Sequence, residues 1–113
     1  LSRRCSRALS SLASPGLEVV LRSRPLPGCA VADEHFHVRS AAAQPARLGS
    51  GELWCETLFL SVDPFLRCRF NESTGVDYTQ PYAVGEALTS AGLGVVLGCG
   101  SGVSSVRPGD IVI

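Results

Sequence analysis

Glycine and proline interrupt this chain so often that it leaves room mainly for short structural elements. Twelve of the 113 residues are glycine and seven are proline. Between these breakers lie runs rich in β-branched and other apolar residues, a pattern typical of strands joined by tight turns. The runs cover residues 18–22, 35–39, 52–62, 86–96 and 103–113. We therefore predict a mainly β domain, either a barrel or a sandwich.

Residues 52–62 form the strongest predicted strand. Both of its alternating faces carry apolar side chains, so we expect it to be covered on two sides, as in the wall of a filled barrel. Pro64 ends this strand, and residues 65–70 form either one helical turn or a loop. Residues 71–81 are polar and contain a glycine and a proline, which predicts an exposed loop of the kind that often carries function.

Length and charge limit the classes of partner. A chain of 113 residues is one domain by size. Ten basic and ten acidic residues give a formal net charge of zero, so no electrostatic field favours nucleic acid or anionic lipid. No apolar run approaches the roughly 18 residues of a membrane-spanning helix. We expect a soluble protein that binds neither nucleic acid nor a membrane.

Five cysteines are scattered along the chain, and no two of them form a C-x-x-C pair. Neither a zinc site nor a redox motif is therefore indicated. Free thiols in a reducing compartment are a simpler interpretation than a disulfide framework, which favours the cytoplasm. His35 and His37 would lie on one strand face, but no third ligand accompanies them, so we expect an exposed face rather than a metal site.

The two ends of the sequence differ from its middle. Residues 1–15 are rich in arginine and serine and lack acids, which indicates either a mitochondrial targeting peptide or a disordered extension. We place the folded domain at residues 16–113. The chain begins with Leu1, contains no methionine and ends in the apolar run 110–113. The missing methionine indicates an incomplete amino end. At the carboxyl end an unpaired apolar strand needs a partner, so we expect the sequence to be incomplete there as well.

Three motifs carry a resemblance to a known family. Residues 100–112 read G-x-G-V-x-x-V-x-x-G-D-x-V, residues 57–72 read TLFLSVDPFLRCRFNE, and residues 74–78 read TGVDY. In these motifs the chain resembles the zinc-independent medium-chain dehydrogenase/reductases, most of all the prostaglandin reductases among them. The likeness is weakest over residues 26–48. It implies a GroES-like, partly open β-barrel: the amino-terminal catalytic domain, truncated before a Rossmann domain.

The resemblance also implies that the site lacks zinc. Zinc-dependent members carry a cysteine ligand and a Gly-His-Glu motif where this chain has residues 62–64 and 91–94, and no His-Glu pair stands there. The glycines Gly92, Gly94 and Gly98 do not have dinucleotide-fingerprint spacing, and no helical stretch follows them. We interpret them as allowing tight barrel corners.

The activity that the resemblance implies is NADPH-dependent reduction of the 13,14 double bond of 15-oxo-prostaglandins. The nucleotide would be bound mainly by the absent domain, and the full-length protein would be a monomer or a homodimer. Two alternatives stay open: a general alkenal or leukotriene-type enone reductase, and a non-catalytic truncated β-barrel module. We expect the 113-residue chain alone to be inactive. The sequence does not distinguish NADPH from NADH.

The resemblance assigns four site residues. Tyr78 is the catalytic candidate, because a phenol can donate a hydrogen bond to an enone carbonyl; the alternative is an ordinary loop tyrosine. Asp63, Pro64 and Arg67 form a D-P-x-x-R element expected to shape the nicotinamide end of the cleft. Two structural alternatives stay open: Asp63 accepts hydrogen bonds from the amides of the turn, and Arg67 forms an ion pair at the surface. Cys68, between two arginines, is taken as an incidental thiol.

Overall fold

The computed structural model describes residues 16–43 and 45–113, and these form a mainly β structure, as predicted. The strands are β1 Leu17–Leu21, β2 Phe36–Ser40, β3 Leu53–Leu60, β4 Gly92–Cys99 and β5 Ile111–Val112, and two 3-10 helices span Asp33–His35 and Pro64–Phe70. The predicted arginine-rich leader, residues 1–15, lies outside the described residues. Within those residues, no helix is long and apolar enough to cross a membrane.

The first sheet has two strands, β1 and β2. Strand β1 pairs antiparallel with β2, from Leu17 opposite Ser40 to Leu21 opposite Phe36. On its other side the backbone of residues 85–88 pairs with it, through Leu88 N–H to Val19 O at 2.8 Å and Gly85 N–H to Leu21 O at 2.7 Å. These bonds tie the segment that follows the polar 71–81 loop to the sheet.

The second sheet has the order β3-β4-β5, with antiparallel pairing throughout. Register shifts interrupt the β3–β4 pairing between Trp54 and Cys55 and again between Thr57 and Phe59. A Cβ atom on Gly92 would collide with the Phe59 carbonyl oxygen. Gly92, Gly94 and Gly98 all lie within β4, and at Gly92 the missing side chain allows two backbones to approach closely. Their role at barrel corners stays a prediction.

Strand β3 also differs from the prediction. We expected both faces to be covered, yet Leu58, Phe59 and Leu60 are 45%, 69% and 63% exposed. Within the described residues β3 pairs only with β4, and the exposure of these side chains shows that no other described element covers both faces of the strand there. The apolar pattern of β3 predicts that the strand is buried, but it does not predict which element packs on it.

A small aromatic cluster forms the core between the first sheet and the 64–90 segment. Leu21, Phe70 and Tyr82 are buried, and Phe36 packs against them. The Phe70 ring meets those of Phe36 and Tyr82 edge-on, at centroid distances of 5.7 and 5.2 Å. Such pairs contribute about 0.5–1.5 kcal/mol beyond their buried area. This cluster fixes the Pro64–Phe70 helix on the sheet.

Candidate substrate cleft

An open cleft of about 810 Å³ lies where three segments meet: residues 28–30, residues 64–71 and residues 74–78. Pro64, Arg67 and Tyr78, three of the four predicted site residues, line it together. Asp63, the fourth, directly precedes the lining. The structure thus brings the predicted residues to one place, while their chemical roles stay predictions.

The 64–70 segment is a 3-10 helix, which settles the choice between a helical turn and a loop. Pro64 stands at its first position, where a missing N–H costs nothing. Pro64, Phe65, Arg67 and Cys68 line the cleft, whereas Phe70, at the end of the helix, is buried in the core.

Arg67 holds the cleft wall together. Its Nη2 donates to Cys29 O at 2.9 Å and to Leu26 O at 3.1 Å, and its Nη1 donates to Asn71 Oδ1 at 2.9 Å. Among the described residues no carboxylate forms an ion pair with it. The alternative expectation of a surface ion pair is therefore wrong, because neutral oxygens take its donors. Its positive charge remains without a neutralising acid at the edge of the cleft.

The residues that Arg67 holds form a tight turn. Cys29 N–H donates to Leu26 O at 3.0 Å, Pro27 occupies the second position, and Gly28 has φ = 75°. These are the features of a type II turn, whose third position favours glycine. The turn and the guanidinium together fix the backbone of Cys29, whose side chain is exposed.

Tyr78 projects from the 71–81 loop and is 76% exposed. Among the hydrogen bonds of the described residues, its hydroxyl has no partner. The loop is closed by Thr74, whose Oγ1 lies 2.9 Å from Val76 O and 3.0 Å from Thr79 O. Gly75, with φ = 76°, provides the left-handed backbone that this turn requires. The loop thus presents a phenol at the cleft with its donor available.

Asp63 has a local role. Its carboxylate accepts a hydrogen bond from the Ser61 hydroxyl, and it makes no side-chain cap to the helix that follows. The alternative expectation was that Asp63 accepts hydrogen bonds from backbone amides of the turn. It is wrong, because the donor to its carboxylate is the Ser61 hydroxyl.

Two further arginines shape the site, and the sequence did not indicate their roles. Arg24 donates to Phe70 O, Asn71 O and Tyr82 O at 2.8–3.1 Å. Arg69 donates to Gln80 O at 2.9 Å and lies 3.9 Å above the Tyr82 ring. Because the segment is helical, Arg67 and Arg69 diverge to different loops. Both arginines thus donate charge-assisted hydrogen bonds to backbone carbonyl oxygens of the surrounding segments.

The described residues fit one end of a nicotinamide nucleotide and not the other. Pro64 offers an apolar surface on which a flat amide-bearing ring can pack. No glycine loop leading into a helix N-terminus, the usual site for a pyrophosphate, occurs in residues 16–43 or 45–113. The same residues place no three His, Cys, Asp or Glu side chains where a metal ion could bind. His35 Nδ1 instead accepts from Ala32 N–H at 2.9 Å.

Comparison with protein families gives a match over residues 18–113, to the N-terminal domain of oxidoreductase. The chain belongs to this family. One relative is the Bacillus subtilis (strain 168) protein “Putative NADP-dependent oxidoreductase YfmJ”, 36% identical over 63 residues. That match covers 56% of this chain and 17% of the relative, so the chain spans a small part of the protein it resembles. Family and relative together support the predicted medium-chain dehydrogenase/reductase superfamily, while the activity of the whole protein stays a prediction.

Proposed function

We propose that this chain is the substrate-side domain of an NADPH-dependent enone reductase of the prostaglandin reductase 2 type, acting on 15-oxo-prostaglandins. The observation that carries the proposal is the cleft, in which an exposed phenol, an apolar wall and a fixed positive charge face one space: Tyr78, Phe65 and Arg67. A 15-oxo-prostaglandin has a matching set of groups, namely a conjugated ketone, apolar chains and a carboxylate.

Each of these side chains has a separate task in the proposal. The Tyr78 hydroxyl donates to the ketone oxygen and stabilises the negative charge that develops there during reduction. Phe65, 49% exposed, covers an apolar chain of the substrate. The donors of Arg67 contact protein oxygens, so its charge attracts the anionic substrate toward the cleft as a whole and does not bind the carboxylate through a fork of hydrogen bonds.

The cofactor is proposed from two sources, the resemblance in the sequence and the NADP named for the Bacillus subtilis relative. When bound, the nicotinamide supplies hydride to the β-carbon of the enone. In this proposal Asp63, Pro64 and Arg67 shape the nicotinamide end, and a further domain outside this sequence holds the phosphates. The isolated 113-residue chain is accordingly expected not to oxidise NADPH.

The test is NADPH oxidation by the natural full-length protein with 15-oxo-prostaglandin E2. NADH and a simple alkenal, trans-2-nonenal, serve as controls. Turnover that requires NADPH and prefers the prostaglandin supports the proposal. Turnover of the alkenal alone would retain the enone reductase class and assign the general alkenal branch instead. A folded, nucleotide-binding protein that reduces neither compound would refute the proposal and leave a non-catalytic module.

A further inference from the structure

Thr74 lies at the neck of the loop that carries Tyr78, outside the residues assigned to reduction. Its side chain is half-buried and lines the cleft together with Val76 and Tyr78. We propose that Thr74 is a positioning residue, whose hydroxyl fixes the backbone on both sides of Tyr78 and so sets where the phenol meets the substrate. The proposal rests on the proposed function, because it takes the Tyr78 hydroxyl to be the donor to the enone.

The Thr74 hydroxyl joins the two sides of the loop. Its oxygen lies 2.9 Å from Val76 O, before Tyr78, and 3.0 Å from Thr79 O, directly after it. A hydroxyl has one proton to donate and two lone pairs, so the two carbonyl oxygens share the donor, while the Val76 N–H donates to the same hydroxyl oxygen at 3.4 Å. The contact to Thr79 O spans five residues, so it closes Tyr78 into a small ring of backbone.

The two ends of the loop are anchored by other groups. Arginine side chains donate to Asn71 O at 3.0 Å and to Gln80 O at 2.9 Å, which fixes both ends on the core. Among the hydrogen bonds of the described residues, those that reach the backbone of residues 76–79 all involve the Thr74 hydroxyl. Removal of this hydroxyl is therefore expected to release the part of the loop that carries Tyr78, while the two ends stay in place.

The position of Tyr78 matters because a donor to a developing charge acts only at short range. Such a donor has to lie about 2.7–3.1 Å from the oxygen that becomes negative, and a misplacement of about 1 Å can lower a rate about 100-fold. The Tyr78 side chain is exposed, and among the described residues its hydroxyl has no partner that would orient it. Its placement therefore depends on the backbone that Thr74 holds, and loss of that contact lowers kcat more than it raises KM.

The experiment compares Thr74→Val, which removes the hydroxyl at nearly the same volume, with Thr74→Ser, which keeps it. Both are made in the natural full-length protein and assayed with NADPH and 15-oxo-prostaglandin E2. Thr79→Val is the matched control, because Thr79 is half-buried in the same loop and no hydrogen bond of its hydroxyl occurs among the described residues. We expect Thr74→Val to lower kcat by about 10-fold or more with KM for NADPH unchanged, and the other two variants to retain turnover. In a Tyr78→Phe background Thr74→Val causes no further loss, because both changes act through one hydrogen bond.

A second readout needs no turnover. It is the fluorine NMR signal of meta-fluorotyrosine at Tyr78, identified by its loss in Tyr78→Phe. We expect this signal to shift and sharpen in Thr74→Val, because the loop around the ring is released, and to stay unchanged in Thr79→Val.

Full turnover by Thr74→Val would overturn the proposal, and so would a loss that adds fully to the loss in Tyr78→Phe. A loss of about 10-fold in Thr74→Ser would overturn it as well, even if Thr74→Val does not fold. The proposed function is judged separately, by turnover of the unmodified protein. An enone reductase that needs Tyr78 but not Thr74 refutes only the positioning role. A protein that reduces no enone refutes the proposed function, and the NMR signal then still reports whether Thr74 holds the loop.

Discussion

Replacing Arg67 by lysine tests how the cleft wall is held. The guanidinium bridges three acceptors on two segments, Leu26 O and Cys29 O on the turn and Asn71 Oδ1 beyond the helix. A lysine ammonium keeps the charge but is a compact group without the planar fork. Lysine can replace one of these contacts but not all three. The variant therefore distinguishes the effect of the hydrogen bonds of the guanidinium from the effect of its positive charge.

The size of the effect follows from the contacts that are lost. A hydrogen bond to a charged group contributes about 1.5–3 kcal/mol. The two turn acceptors face solvent, so water replaces part of that loss, and we expect Arg67→Lys to lower the free energy of unfolding by about 1–2 kcal/mol. The full-length protein is larger than this domain, and in proteins of about 150–250 residues 1 kcal/mol shifts Tm by roughly 2–4 °C.

The assay is thermal and urea unfolding of full-length protein, with Arg22→Lys as the matched control. Arg22 is exposed at the end of β1, and no side-chain hydrogen bond involves it among the described residues. We expect Arg67→Lys to unfold several degrees below both the control and the unmodified protein, with KM for the enone raised more than kcat is lowered. Equal stability of the two variants would show that the contacts of Arg67 do not hold the cleft wall together. Unchanged stability together with weaker NADPH binding would instead assign Arg67 to the cofactor.

Three further substitutions have defined outcomes. Tyr78→Phe is expected to reduce kcat/KM for the enone by about 10-fold or more with Tm unchanged, and unchanged turnover would remove the hydroxyl from the site. Tyr82→Phe deletes a bond of 2.6 Å to Thr89 O, which keeps a second donor in Arg69 Nη1 at 3.2 Å, so urea unfolding is expected to show a loss of about 0.5–1.5 kcal/mol; no loss would mean that Arg69 alone satisfies Thr89 O. Gly92→Ala forces β3 and β4 apart at Phe59 and is expected to cost about 1–3 kcal/mol, and a variant as stable as the parent would show that the strands separate freely.

The features that the sequence predicted are those encoded within a few residues. The strand at β1, the stop at Pro64 and the loop around Tyr78 each have a local signal in β-branched runs, proline and glycine. For residues 65–70 the sequence does not separate a helical turn from a loop, because so short a segment has no clear periodicity.

The features that the sequence did not reveal depend on distant contacts. Arg24 donates to carbonyls 46 to 58 residues away, and nothing near it in the chain marks those acceptors. Cys29 lies in residues 26–48, where the resemblance was weakest, and its place in the cleft follows from the reach of Arg67 across the fold. The exposure of β3 was mispredicted for the same reason, since pattern alone does not identify a neighbour.

The most direct test of the proposed function uses NADPH deuterated at the transferable position of the nicotinamide, with the natural full-length protein and 15-oxo-prostaglandin E2. The position of deuterium in the product is read by mass spectrometry and NMR. The account predicts deuterium at the β-carbon, with the ketone intact. Deuterium at the ketone carbon, with an alcohol as product and the double bond retained, would contradict it and make the protein a carbonyl reductase.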